Sequence, residues 1–384
     1  MPRICFVTPG VLPMLRGREG TVYGGSELRA WRFARGLADL GFEVSIIGLD
    51  DAAVPADVLG PVSIVAAASA PSWSTWLRSR LLGIPRPAQE APWQAAGADV
   101  YVAFGAAEYN ASLGEWCRAA RRPFLLFAGS DADFSEDYRP GNIARNIWGS
   151  RCDRCYDSIQ LASRLVVQSR TQKSAAGIRF GRDAIVIANP VVLAPARPAG
   201  TIGDGFLWIG KAVENKRPEL ALAVAEACPD QSFVMIANDV GNGLFEKLTR
   251  RKPPNVEIIA SVPPAQLDQY FSRARALLCT SDFEGFPNTF LDAGRSGVPV
   301  ITLRVDPDGV IARERGGFSA HGDFDELVRA VKRFATESEV ALTAGRRLYN
   351  YVKREHEASA RVTELAAVLR ELMSTAPVEA GATC

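Results

Sequence analysis

Two acids stand eight positions apart in the stretch Ser281-Asp282-Phe283-Glu284-Gly285-Phe286-Pro287-Asn288-Thr289-Phe290-Leu291-Asp292. An apolar run ending at Cys279 reads as a strand feeding this loop, and Asn288 or Thr289 opens a helix behind it. Free amides at such a helix start, with the positive end of its dipole, suit a diphosphate. Glu284 is placed to accept hydrogen bonds from sugar hydroxyls, and Asp292, in the first helical turns, could hold a ribose diol. A plainer reading also fits: Asn288 caps the helix, and both acids only favour its N-terminus.

Two further turns could bind phosphate. Leu207-Trp208-Ile209-Gly210-Lys211 runs as strand into glycine turn, and Lys216 stands just before a helix opened by Pro218. Two ammonium groups at a strand's carboxyl end would neutralise a pyrophosphate, though solvated surface lysines look the same in sequence. Tyr23-Gly24-Gly25-Ser26-Glu27 pairs glycines that permit close backbone approach with a helix start that offers amides. It lacks the three spaced glycines of the dinucleotide fingerprint, so packing explains it equally well. The apolar run Phe124 to Phe127 ends in Gly129-Ser130-Asp131-Ala132-Asp133, where Asp131 is either an acid at a strand end or part of an Asx turn. Cys152-Asp153-Arg154-Cys155 is a single C-x2-C without a second pair, so surface thiols are expected rather than zinc.

Around these motifs, short β-rich runs alternate with helix-period segments through the first half: Arg3-Thr8, Glu43-Gly48, Val62-Ala67, Asp99-Ala103, Phe124-Phe127, Leu165-Gln168 and Ala184-Ile187. Ser26 to Leu37 carries apolar residues at helical spacing behind a serine N-cap. After Pro190 the chain turns rich in Pro and Gly and poor in charge, as a linker does, and then the rhythm restarts. Phe206-Ile209, Phe233-Ala237, Val256-Ile259, Ala276-Cys279 and Val298-Leu303 are the strands of the second half, with helices over Pro218-Ala227 and Pro264-Ala274. The expected organisation is an α/β chain with two doubly wound parallel-sheet domains, residues 1–190 and 205–355, joined by a linker over 191–204. A last helix covers 356–374 (its centre Ser359 to Met373), and a disordered tail follows. The carboxyl ends of both sheets would face a common cleft, where ligands belong.

Composition narrows the class. The 384 residues are 47% apolar and 23% charged, too apolar for disorder and too many for one core. A net charge of +1 gives no global pull toward nucleic acid or anionic bilayers. Seven scattered cysteines fit a reducing compartment, and Met1 to Gly10 shows no signal-peptide pattern, so the cytoplasm is expected. Trp73, Trp76, Leu77, Leu81 and Leu82 with Arg78, Arg80 and Arg86 form a short basic amphipathic patch that could touch a membrane peripherally or a lipid-linked ligand, though at this length a packed helix is the favoured reading.

Taken together, these residues resemble the retaining GT-B glycosyltransferases of family 4, glycosyl transferases group 1. Glu284 through Asp292 matches the family's E-x7-E signature with Asp as second acid, Gly210, Lys211 and Lys216 match its G-R…K motif, and Gly24-Gly25-Ser26-Glu27 matches its glycine loop. The likeness includes Ile187-Ala188-Asn189-Pro190 and a final helix that in this fold crosses back to the first domain. It implies a GT-B fold of two Rossmann-like domains, nucleotide diphosphate sugar as donor substrate, a hydroxyl acceptor, and neither metal nor other cofactor. It implies that Glu284 contacts the donor sugar, Asp292 the ribose, and Lys211 and Lys216 the diphosphate. Gly24, Gly25, Gly285, Phe286, Asn288 and Thr289 would complete the donor site. The family often places a histidine or acid of the first domain near the reacting carbon. Both histidines here, His321 and His356, lie in the second half, which leaves Asp131 as the candidate catalytic group beside Glu284. Asp131-Ala132-Asp133 also resembles the D-x-D of the other glycosyltransferase fold, which the two-domain rhythm opposes. An epimerase or hydrolase of similar architecture, or a catalytically silent sugar-nucleotide binding protein, remains the alternative.

Overall fold

The computed structural model describes residues 1–8, 10–16, 24–48, 54–66, 87–193 and 201–375. The Trp73 to Arg86 patch and residues 376–384 of the expected tail lie outside them. Among the described residues the strands form two parallel sheets. The first contains β1 (Arg3–Phe6), β2 (Glu43–Gly48), β3 (Ser63–Ala66), β4 (Val100–Phe104), β5 (Phe124–Phe127), β6 (Arg164–Val167) and β7 (Ile185–Val186), in the order β3-β2-β1-β4-β5-β6-β7. The second contains β8 (Gly205–Lys211), β9 (Ser232–Asn238), β10 (Val256–Ile259), β11 (Ala274–Cys279), β12 (Val300–Thr302) and β13 (Gly317–Ser319), in the order β10-β9-β8-β11-β12-β13. Central strands such as β5, with all four residues buried, read as continuous apolar runs because helices cover both sheet faces.

Each sheet reverses its strand order beside its first strand, between β1 and β4 and between β8 and β11, which opens a crevice at the carboxyl ends there. Strand β13 was missed in the sequence because three residues opened by glycine carry no usable pattern. Helix α2 (Gly25–Asp39), after α1 (Val11–Arg16), begins one residue before Ser26. Gly24 is its N-cap, and Glu27 reaches back to accept from the Gly24 amide at 2.9 Å, so the serine cap is corrected. The segment Pro264–Ala274 divides into a 3₁₀ turn over Pro264–Gln266, a helix over Leu267–Arg273, and Ala274 as the first residue of β11.

The long helix Ser338–His356 ends at His356, and the next, Ala358–Thr375, starts after a break at Glu357, where Val191 bridges in parallel. His356 thus belongs to the helix before the break, and Thr375, expected in the tail, is helical. The last helix buries Val362, Leu365, Ala366, Leu369 and Leu372 in the same core as Phe33, Leu37 and Ile46 of the first sheet's layer. Gly36 permits this approach: a Cβ there would lie 2.5 Å from a Val362 methyl. That contact accounts for glycine inside a helix, where it otherwise costs about 1 kcal/mol. Among the described residues no helix is long and apolar enough to cross a membrane.

Candidate active site

A cleft of about 1260 Å³ opens between the two sheets, lined by residues that follow the carboxyl ends of β5, β8, β9 and β11. On the second-domain side, Lys211 is the last residue of β8, and a 3₁₀ turn over Glu214–Lys216 leads into the helix begun by Pro218. Lys216 Nζ donates to Glu284 Oε1, which also accepts from Ser281 Oγ at 2.9 Å. Arg217 pairs with Glu219 and, at 3.4 Å, with Asp282. Lys211 has no carboxylate partner among the described residues. Its Nζ lies 3.6 Å from the point where a Cβ on Gly24 would stand, so the glycine loop and this ammonium face each other across the cleft.

The helix behind Glu284 runs Asn288–Arg295, and its N-cap is Pro287, without a side-chain cap hydrogen bond. Asn288 Nδ2 instead donates to the Gly25 carbonyl at 2.9 Å. The capping reading of Asn288 therefore fails, and the amides of Asn288 and Thr289 open a helix that no side chain caps. A Cβ on Gly25 would lie 2.7 Å from Asn288 Nδ2, so any side chain there would displace the contact. Asp292 lines the cleft but is only 6% exposed. Its Oδ1 accepts from Arg295 Nε at 3.1 Å and from Arg32 Nη2 of α2 at 3.4 Å, which ties the second acid to the first domain.

Asp131 begins a 3₁₀ turn, Asp131–Phe134, directly after β5. Its amide donates to the Glu284 carbonyl at 3.1 Å, and Gln172 Nε2 donates to its Oδ1 at 2.8 Å. It stands at the edge of the cleft, whose wall is formed here by its neighbour Ser130. Desolvation, reinforced by Asp133, Asp308 and Glu284, outweighs the Gln172 hydrogen bond and pushes the Asp131 carboxyl up to about 6. Asp133 instead braces the backbone around it. Buried, it accepts from the amides of Ala106 at 3.0 Å, Ser130 at 3.1 Å and Gly129.

A buried polar hub joins the domains, and sequence reasoning missed its centre. Gln168 Nε2 donates to the Ala128 and Gly129 carbonyls, at 2.9 Å each. Gln168 Oε1 accepts from the Phe286 amide at 2.8 Å and from Asn189 Nδ2 at 3.2 Å. Asn189 donates to the Phe286 carbonyl at 3.1 Å and accepts from Arg29 Nη1 at 3.1 Å. Arg29 lies over the rings of Phe104 and Phe127, and burial lowers its pKa to about 9. These contacts correct the expectations for Gly285 and Phe286. Both are buried, the Phe286 amide is already engaged, and neither lines the cleft. The available signal was a polar residue closing an apolar strand, Gln168 after Leu165–Val167, and Asn189 before Pro190.

Cys152 and Cys155 are not surface thiols. They open the helix Cys152–Leu161 three residues apart, share its inner face and are 3% and 0% exposed. Burial pushes the Cys155 thiol up to about 12. Among the described residues no group of three or more His, Cys, Asp and Glu side chains could hold a metal ion.

Residues 203–337 match the family model described as Glycosyl transferases group 1, a span that holds Lys211, Lys216, Glu284 and Asp292. This stretch of the second domain is thus similar to the group 1 glycosyltransferases. The chain's two-sheet architecture is GT-B. Sucrose-phosphate synthase from Thermosynechococcus elongatus superposes with a TM-score of 0.75 at 14% identity, over 97% of this chain and 100% of that one. Anabaena HepE in complex with UDP-glucose gives 0.71 at 16% identity, over 97% and 100%. The lipopolysaccharide outer core galactosyltransferase WaaB gives 0.62 at 17% identity, over 96% and 99%. Among curated proteins none matches the sequence. The GT-B cleft of this chain is thus framed on one side by the segment that matches group 1 and on the other by the glycine loop and Ser130, with Asp131 behind its edge.

Proposed function

We propose that the protein is a retaining, family 4 type glycosyltransferase that moves a sugar from a nucleotide diphosphate donor to an acceptor hydroxyl without a metal. One observation carries this reading: two lysines, a helix start that no side chain caps and Glu284 converge on one cleft within the group 1 segment. The complex of HepE with UDP-glucose supports the donor class.

In this mechanism the diphosphate departs against Lys211, Lys216 and the amides of Asn288 and Thr289, preorganised charges that offset the leaving group. Glu284 holds donor-sugar hydroxyls, and Asp292, fixed by Arg32 and Arg295, faces the ribose. A leaving phosphate oxygen takes the acceptor proton from the face it departs, so the anomeric configuration is kept. Asp131, joined to the Glu284 loop through its amide, supplies negative potential beside the reacting carbon. A silent sugar-nucleotide binder would keep the donor contacts and lack turnover.

The test is thermal-shift screening against UDP, GDP, ADP, dTDP and their sugars, because a ligand that binds only the folded state raises its melting point. Transfer is then measured with the sugar nucleotide that binds. A donor that binds with no transfer to any sugar or water would favour the silent binder.

A further inference from the structure

The loop between Tyr138 and the helix Cys152–Leu161 presents Ile143, Ile147 and Trp148 to solvent, at 71%, 72% and 54% exposure. Large apolar groups scattered singly on a surface need no explanation, but three within six residues on one loop do. This loop is firmly built. Asn146 Oδ1 accepts from the amides of Trp148 and Ser150, both at 3.0 Å, and its Nδ2 donates to Tyr138 Oη at 2.7 Å. Arg145 and Arg151 form an antiparallel bridge, and the Cys152 amide donates to the Ala144 carbonyl at 2.8 Å. Ile147 and Trp148 line the same cleft as Lys216, Glu284 and Thr289, on the side of Ser26 and Ser130.

We propose that Trp148, flanked by Ile147, is the acceptor platform, stacking on the apolar face of a sugar ring and so presenting one of its hydroxyls to the donor. This rests on the transferase reading and deepens it. A flat aromatic face beside two serine hydroxyls matches a ring with C–H bonds on its face and hydroxyls at its edge. An acyl chain would need a continuous apolar wall. An anionic bilayer would need a cluster of free cations, and of this loop's arginines Arg145 is paired with Glu108 at 3.6 Å and Arg151 with Asp153, which leaves Arg139 alone without a carboxylate partner among the described residues. Ile209, Ile236, Val262 and Leu267 of the second domain line the same cleft and offer a nucleotide base a separate apolar surface.

The test labels the full chain with 5-fluorotryptophan and assigns the Trp148 fluorine resonance by its loss in Trp148→Phe. Methyl glycosides of glucose, galactose, mannose and N-acetylglucosamine are titrated, and separately UDP and phosphatidylglycerol vesicles. The expected result is a saturable shift of the Trp148 resonance with at least one glycoside and none with vesicles or UDP alone. In transfer assays with that sugar, Trp148→Ala raises acceptor KM about three- to tenfold, as loss of one aromatic contact does, leaves nucleotide affinity unchanged and is partly rescued by Trp148→Phe. A response to vesicles alone, to UDP alone or to none of the probes overturns the platform. Failure of the wild-type protein to bind any nucleoside diphosphate would instead overturn the transferase reading, since the Trp148 titration does not depend on donor.

Discussion

The wall that the second domain contributes to the cleft carries most of its charges in matched pairs, whereas the first domain offers glycines, hydroxyls, an aromatic ring and, at the edge, one acid. Lys216 sits on Glu284, Arg217 on Glu219 and Asp282, and Asp292 between two arginines. Such a wall is preorganised: an arriving diphosphate finds its cations already held, and Glu284 can pass from Lys216 to sugar hydroxyls without a rearrangement of the backbone. The first-domain residues that line the cleft are uncharged, and that wall depends on close approach, at Gly24 and Gly25, and on exposed surface, at Ile147 and Trp148. Under the proposed function this contrast divides the work, with chemistry assigned to the paired wall and choice of acceptor to the open one.

The largest effect that would break this division falls on Lys216. Lys216→Ala removes a charge aimed at the diphosphate, and turnover should drop about 10²- to 10³-fold, with weaker nucleoside diphosphate binding. Glu284→Gln should lower transfer while the bare nucleotide binds near normally. Because the two side chains touch, the double variant should lose less than the product of the single losses. Steady-state transfer and calorimetric nucleotide binding, beside the melting temperature of each variant, measure this. Full transfer by correctly folded Glu284→Gln would leave the paired wall without a chemical role.

How much of this was legible in the sequence follows the range of the interactions. The strands of both sheets except the three-residue β13, the helix Pro218–Ala227 and the loop before Asn288 are set by apolar runs and local breakers, so they could be read directly. Lys211, Lys216, Glu284 and Asp292 were legible as a set because they lie at the carboxyl ends of β8 and β11 or in the loop and helix that follow, and the fold brings those ends together. Gln168, Arg32 and Asp308 were invisible, since each acts across more than a hundred residues of chain on a backbone or carboxylate of the other domain. The helical inner face shared by Cys152 and Cys155 was open to reading from their spacing, yet the paired-cysteine motif drew attention to the surface instead.

A moderate effect is expected at the seam between the domains. Asp308, in a left-handed conformation (φ 52°), accepts from the Arg170 amide at 2.8 Å and from the Thr171 amide and hydroxyl at 2.9 Å, capping the helix Arg170–Phe180 from the other domain. Loss of such a cap costs about 0.5–2 kcal/mol, and Ser169, which still accepts from Gln172 at 3.1 Å, keeps Asp308→Ala toward the low end. Hydrogen exchange at Arg170 and Thr171 should quicken several-fold, while exchange in both sheets stays near wild type. Asp308→Asn, which tolerates the left-handed backbone and keeps one acceptor, should lie between. Unchanged exchange at both amides in Asp308→Ala would mean that Asp308 does not hold this helix start and that the seam rests on the Gln168 hub and the other contacts between the domains.

The smallest effect separates the open wall's acid from its buried neighbour. Folding raises the Asp131 carboxyl from 3.8 to about 6, so the native state binds that proton more tightly than the unfolded chain does. The resulting stabilisation is fully present below pH 3.8 and is lost as pH rises through about 6. Asp131→Asn copies the protonated form and can still accept from Gln172, so at pH 7.5 it should melt slightly higher than wild type, by under about 2 °C given the residue's contact with water. The gap should close as pH falls toward 4. If the ionised acid supports transfer, wild-type turnover climbs through about pH 6, and Asp131→Asn lacks that limb and turns over more slowly at neutral pH. Melting curves and pH–rate profiles recorded on the same preparations decide between the roles: the stability gap without a loss of turnover would make Asp131 a strained structural residue, and the first domain's wall would then hold no group that takes part in the chemistry.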